Sequence, residues 1–177
     1  MAGKNAQELR VRIDAAWDNL RRQLQGMEAH LDRADAPGEW TTREVLSHLL
    51  FEPDFDPVAI LRTFAERDYP LVDISPGDTF LDEQRSRMTL AQLTEALDTQ
   101  RCRVLAYIDG LTEPEFDRKG RIPLFKQFMG TDEVTIPMYV GAMFDYHWND
   151  HAGQLAKIRQ AVGLASAPGV KSSGVPI

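Results

Sequence analysis

A chain of 177 residues, 43% hydrophobic and 27% charged, suits one domain whose core needs no covalent staples. Its formal charge of -7, with no basic block to offset the acids, argues against a nucleic-acid backbone as partner. Cys102 is the lone cysteine, which excludes an internal disulfide framework and fits a reducing cytosol. The polar stretch from Met1 to Arg12 lacks the apolar core of a secretory leader, and no apolar run is long enough to cross a bilayer. The expectation is a soluble, cytoplasmic protein with no membrane partner.

The first periodic segment runs from Ala6 to Leu31. Leu9, Ile13, Ala16, Trp17, Leu20, Leu24, Met27 and Leu31 follow the three-and-four spacing of one helical face. Asp35-Ala36-Pro37-Gly38 breaks the chain, and Thr41-x-x-Glu44 then has the form of a capping box that opens a second helix. Val45, Leu46, Leu49 and Leu50 give that helix its apolar surface, with His48 among them, and Pro53 is expected to end or kink it. A further helical run over 56–67 starts with Pro57 and reads as a bent continuation of the same arm.

Tyr69 to Phe80 reads as a long loop. Helix resumes from Thr89 to Ile108, where Cys102 beside the apolar stripe is expected to be a small buried hydrophobe. The connection from Asp109 to Asp132 is long for a bundle but rich in apolar residues, so it is expected to fold over one end and wall a pocket. A last helical segment runs from Val134 to Val162, capped by Thr131 or Asp132, with Pro137 tolerated near its start. Residues 165–177 read as a flexible tail beyond a domain of residues 1–164. Four helical arms with long crossings predict an all-α four-helix bundle.

His147 and His151 lie one turn apart in the last arm, so both imidazoles point the same way and can share one ion. His48, on the apolar face of the second arm, is the candidate third ligand. Three neutral imidazoles leave a divalent ion an open position, as catalytic zinc sites do. Zinc or nickel is expected first, with iron, cobalt or manganese as further candidates, since nitrogen ligands do not select one metal. Glu52, four residues after His48, is the candidate catalytic acid-base group. Asp145 and Asp150 are expected to be outer acids and not ligands, and Tyr146 is a candidate for the same neighbourhood that the sequence does not place. Arg43, Arg62 and Arg85 are candidates for meeting a carboxylate.

The order of Trp40-Thr41-x-x-Glu44-Val45-Leu46-x-His48-Leu49 and, far downstream, His147-x-x-x-His151 resembles the DinB-like family over 9–162. That resemblance implies a four-helix bundle of up-down-down-up topology, often a homodimer, with a divalent ion on His48, His147 and His151. Members include bacillithiol- and mycothiol-using thiol transferases and thiol-dependent maleylpyruvate isomerases. The expected activity is therefore metal-dependent transfer of a low-molecular-weight thiol to a small electrophilic substrate. Metal-dependent hydrolysis, with Glu52 taking a proton from an activated water, is the alternative enzyme reading. A non-catalytic binding or stress-response role is the third.

Overall fold

The computed structural model describes residues 3–53, 55–74, 77–165 and 167. Among the described residues there are eight α-helices, of which six make four arms: α1 (Lys4–Leu24), α2 (Thr42–Leu49) with α3 (Pro57–Glu66), α5 (Leu90–Asp109), and α7 (Ile136–Gly141) with α8 (His147–Ala161). The short helices α4 (Glu83–Ser86) and α6 (Phe125–Met129) lie in the two long connections. Among the described residues no helix is long and apolar enough to cross a membrane. The expected tail lies almost wholly outside the described residues.

The periodic face of the first segment is buried as its spacing requires, with Ile13, Ala16 and Leu20 sealed from solvent. Its helix nevertheless stops at Leu24, seven residues short of the expected end. Gly26 takes a left-handed φ of 74°, which an L side chain resists, and a single 3-10 turn over Glu28–His30 follows. Met27 and Leu31 are still buried, so the apolar period outlasts the helix that produced it.

α1 packs against α5 and α8, and α2 packs against the same two helices. A simple alternating bundle would set consecutive arms side by side. Here the first and second arms occupy opposite corners, as do the third and fourth. This is the all-α, up-down-down-up four-helix bundle, and the long run between α3 and α5 supplies the crossing that such connectivity needs. Fully burying a leucine or isoleucine contributes roughly 1.5–3 kcal/mol. The interior row of Leu46, Leu49, Leu93, Leu97, Leu155 and Ile158 is thus what holds the arms together.

Two features depart from the expected pattern. The connection after α5 contains a small antiparallel sheet, β1 (Lys119–Arg121) with β2 (Glu133–Thr135), pairing Gly120 with Val134. Strands of three residues carry no readable alternation, so periodicity could not find them. The last arm also begins later than Val134, because Thr135, and not Thr131 or Asp132, caps α7 by accepting from the Met138 amide at 3.4 Å. A π-helical turn over Ala142–Tyr146 then joins α7 to α8. The expected cover at one bundle end is present: Phe116, Ile122 and Phe125 are buried, and Leu124, Phe128 and Met129 line a cavity beneath.

Candidate metal centre

His48 is placed by both ends of α2. At its start Thr41 Oγ1 accepts from the Glu44 amide at 3.2 Å, and Glu44 Oε2 accepts from the Thr41 amide at 2.7 Å. This is the expected capping box, and it fixes the helical phase two turns before the histidine. The helix does not reach Pro53: it ends at Leu49, and Phe51 takes φ 60° in the left-handed position normally given to glycine. Arg85 Nη1 donates to the carbonyls of Ser47 at 3.0 Å and Phe80 at 3.2 Å, and also to that of Phe51. Gln100 Nε2 donates to Leu49 O at 3.1 Å. Carbonyls left over at the helix end are thereby satisfied inside the protein.

His147 and His151 come from the first turns of α8, immediately after the π turn. That turn carries an extra residue, and turns of this kind recur at functional sites. Phe144 and Trp148, on either side of His147, pack at ring centroids 5.7 Å apart, and Trp148 meets Trp17 of α1 at 5.6 Å. These contacts lock the rotation of the helix that carries both imidazoles.

The three rings meet edge to edge. His48 Nε2 lies 2.9 Å from His147 Nε2, and His151 Nε2 lies 3.0 Å from the same atom. Exposures of 9%, 4% and 7% for His48, His147 and His151 leave little water to separate them. His48 Nδ1 is 2.6 Å from the carbonyl of Asp78, which can only accept, so the ring proton sits on Nδ1 and the Nε2 lone pair faces the centre. His151 Nδ1 faces Gln154 Oε1 at 2.8 Å, with the same consequence. His147 Nδ1 has no hydrogen bond of ordinary geometry; the Met143 carbonyl makes a poorly aligned contact with it that is the least of the influences on the ring.

Burial pushes all three basicities down. His147 falls well below the usual histidine range, by desolvation and then by repulsion from His151 and His48. His151 is lowered to about 4, chiefly by desolvation and next by His48. His48 is lowered by desolvation, against which the Asp78 carbonyl works. Neutral rings at neutral pH turn at least two lone pairs towards His147 Nε2, which can donate at most one proton. A cation at the centre would replace that repulsion with bonds. Metal–nitrogen bonds near 2.0–2.1 Å at tetrahedral angles space the donors by about 3.3 Å, so the two separations to His147 need only a few tenths of an ångström of expansion, and all three donor atoms lie within 4.8 Å of one another. The donor set fits a divalent ion.

Among the described residues these three form the one group of histidine, cysteine and acidic side chains disposed to hold a metal. Two of them, His48 and His147, line a cavity of about 720 Å³. Its walls are mostly apolar, with Phe51, Phe55, Ile60, Phe80, Phe128 and Met138 among them. Phe51 and Phe80 both hold left-handed φ, at 60° and 51°, a cost of roughly 1–3 kcal/mol each. Phe80 is stacked against His48 at 6.1 Å, and Trp40 lies 4.9 Å from His48 and 6.2 Å from His151.

The other anticipated residues divide. Glu52 does not stand one helical turn beyond His48, because α2 has already ended, yet it lines the same cavity. Tyr146 lines it as well. Asp145 accepts from Arg12 Nε at 2.7 Å, and Asp150 is half-buried with its carboxyl pushed up by desolvation. Arg43 bonds Asp32 and backbone carbonyls, and Arg85 is committed to the end of α2. Neither guanidinium lines the cavity, and neither does Arg62; the arginine that does is Arg12 of α1. Cys102 is exposed and not buried, since Val104 and Leu105 take the interior positions on that turn of α5. The Asp78 carbonyl and Arg12 carried no sequence signal. Gln154 did, three residues beyond His151 on the same helix.

A sequence model of the DinB superfamily matches residues 12–155. YfiT from Bacillus subtilis, described as a probable metal-dependent hydrolase with an unusual four-helix bundle topology, has a similar fold at a TM-score of 0.68. It is 17% identical, with 93% of this chain and 92% of YfiT covered. No curated protein matches the chain. The family match spans most of the sequence and takes in all three converging histidines, and the chain belongs to the DinB superfamily.

Proposed function

We propose that His48, His147 and His151 hold a divalent ion, zinc or nickel foremost, and that the protein uses it to transfer a low-molecular-weight thiol to a small apolar electrophile. The observation that carries this reading is the convergence of three Nε2 atoms, two of them held as lone-pair donors by Asp78 and Gln154, beside an apolar cavity. A divalent ion there supplies Lewis acidity, which lowers the pKa of a coordinated thiol or water. The three imidazoles stay neutral to serve as ligands, and Trp40 and Phe80 restrict solvent beside them. Phe51, Phe55 and Phe128 offer an apolar surface to the substrate body. The cavity, at about 720 Å³, is within the ordinary range of organic-ligand sites and has room for a small thiol and a small electrophile. Cys102, exposed on α5 and absent from the cavity, is not its source.

Glu52 favours hydrolysis as a second reading, because a carboxylate in the cavity wall can take a proton from an activated water. YfiT's description as a probable metal-dependent hydrolase agrees with that chemistry. The two separate on one experiment. Metal-loaded protein is offered an aromatic electrophile with and without a panel of small thiols. Turnover that needs a thiol and consumes it supports transfer; turnover unaffected by thiol, and lost in Glu52→Gln with the metal retained, supports hydrolysis. A homodimer belongs to the same proposal, and sedimentation velocity tests it.

A further inference from the structure

The cavity lining includes a cation that a metal on the three histidines would not need. Arg12 projects from the side of α1 into its lining, beside Gly141 of α7. Among the lining residues it is the one lysine or arginine; Glu52 and Asp73 are the acids. A guanidinium on the wall of a mostly apolar cavity is a selective feature, since it attracts an anion where the aromatic and aliphatic surfaces attract hydrocarbon.

Its placement is built from two sides. Arg12 Nε donates to Asp145 Oδ2 at 2.7 Å, and Asp145 is itself held by Asn149 Nδ2 at 3.0 Å. Asn149 Oδ1 in turn accepts from Asn19 Nδ2 at 2.8 Å, so the chain of bonds runs back to α1. The absent side chain of Gly141 provides the second constraint. A Cβ there would come within 3.0 Å of Arg12 Nη2 and 3.6 Å of its Cζ and Nη1. Asp145 occupies Nε, which leaves the Nη1–Nη2 edge, the end-on fork that pairs with a planar carboxylate.

We propose that Arg12 is a specificity-determining residue that binds a carboxylate carried on an apolar ligand, with Asp145 and Gly141 as its positioning residues. This names the substrate class of the reading above and rests on it: an aromatic or aliphatic carboxylic acid with its electrophilic carbon away from the carboxylate. The acid is held by Arg12, the hydrocarbon lies on the aromatic wall, and the remaining end is free to reach the imidazoles.

The test uses 4-phenylbutyrate and its neutral amide, 4-phenylbutyramide, titrated calorimetrically into the full-length protein as purified. Wild type, Arg12→Gln, Arg12→Lys and Gly141→Ala are compared, with metal content and thermal unfolding measured on each. Wild type is expected to bind the carboxylate about tenfold more tightly than the amide, the low end for a charged hydrogen bond because Arg12 is half exposed and already paired. Arg12→Gln is expected to abolish the preference with the affinity for the amide, the metal content and the unfolding temperature unchanged. Arg12→Lys should recover only part of it, and Gly141→Ala, which displaces the guanidinium while keeping its charge, should weaken it. A preference that survives in Arg12→Gln would place the anion on the metal and overturn the proposal. Equal affinities in wild type, absence of binding by both probes included, would overturn it too. Failure of the metal reading looks different: protein without metal that still prefers the carboxylate through Arg12.

Discussion

Gln154 Oε1 stands 2.8 Å from His151 Nδ1, one turn along the same helix and on the side of the ring away from the other imidazoles. The amide thereby fixes which nitrogen of His151 carries its proton and which is left to bind a metal. Gln154→Leu keeps the bulk of the side chain and removes the acceptor. Metal affinity is expected to fall about tenfold, read by competition with a chromogenic chelator. Unchanged affinity would mean that the bond orients nothing.

His147 presents the opposite case. Its Nδ1 is buried without an ordinary hydrogen bond, and its Nε2 faces two other ring nitrogens. In the metal-free protein that arrangement is a liability, since a buried polar group without partners costs roughly 1–3 kcal/mol. His147→Leu should therefore abolish metal binding and yet leave the metal-free protein at least as stable as metal-free wild type. Urea unfolding of both, after chelation, checks this. A loss of 2 kcal/mol or more would assign His147 to packing instead.

Acid acts on the same cluster. The His151 ring is lowered from an ordinary 6.5 to about 4 in the folded chain, by burial first and His48 second. Between those values the unfolded chain binds a proton that the folded chain refuses, so stability is full above about pH 6.5 and declines as pH falls towards 4. At about 1.4 kcal/mol per unit, His151 alone accounts for a loss of up to roughly 3 kcal/mol. His147 and His48 shift in the same direction and add to it. Chelator-treated protein should thus have a lower urea midpoint at pH 5 than at pH 7.5. A midpoint that does not move over this interval would refute burial of the neutral rings.

Arg85 links the histidine cluster to the fold. With 9% of its surface exposed, it bonds the carbonyls that end α2 one residue before and three residues after His48. Arg85→Met retains the aliphatic stem and leaves those carbonyls without their donor. Destabilisation of roughly 2–3 kcal/mol is expected. Metal affinity should weaken in parallel, measured by unfolding with and without added zinc. Full metal affinity in a destabilised variant would separate the anchor from the site.

Much of this was legible in the chain, and the reasons are local. Thr41 and Glu44 announce the start of α2 because a capping box is a short-range motif, and Leu46, Leu49 and His48 then share a face by arithmetic. His147 and His151 are likewise one helical turn apart. What escaped involves bonds between distant segments. Arg85 could not be assigned to the end of α2 from 38 residues away, so it was a candidate for substrate instead. Arg12 sits on the face of α1 that its helical period marks as solvent, and only the π turn and Gly141 give it a cavity to enter. Cys102 is exposed where the sequence suggests burial, because the apolar stripe of α5 is ambiguous over one turn and Val104 fills the interior position.

The three-histidine centre is tested most directly by metal analysis of untagged protein, purified without chelator, beside His48→Ala. Close to one zinc or nickel ion per chain in the wild type, and loss of it in the variant, is the predicted result. A wild type that carries no divalent metal and takes up neither zinc nor nickel when they are added would contradict it, and with it the metal-dependent activity.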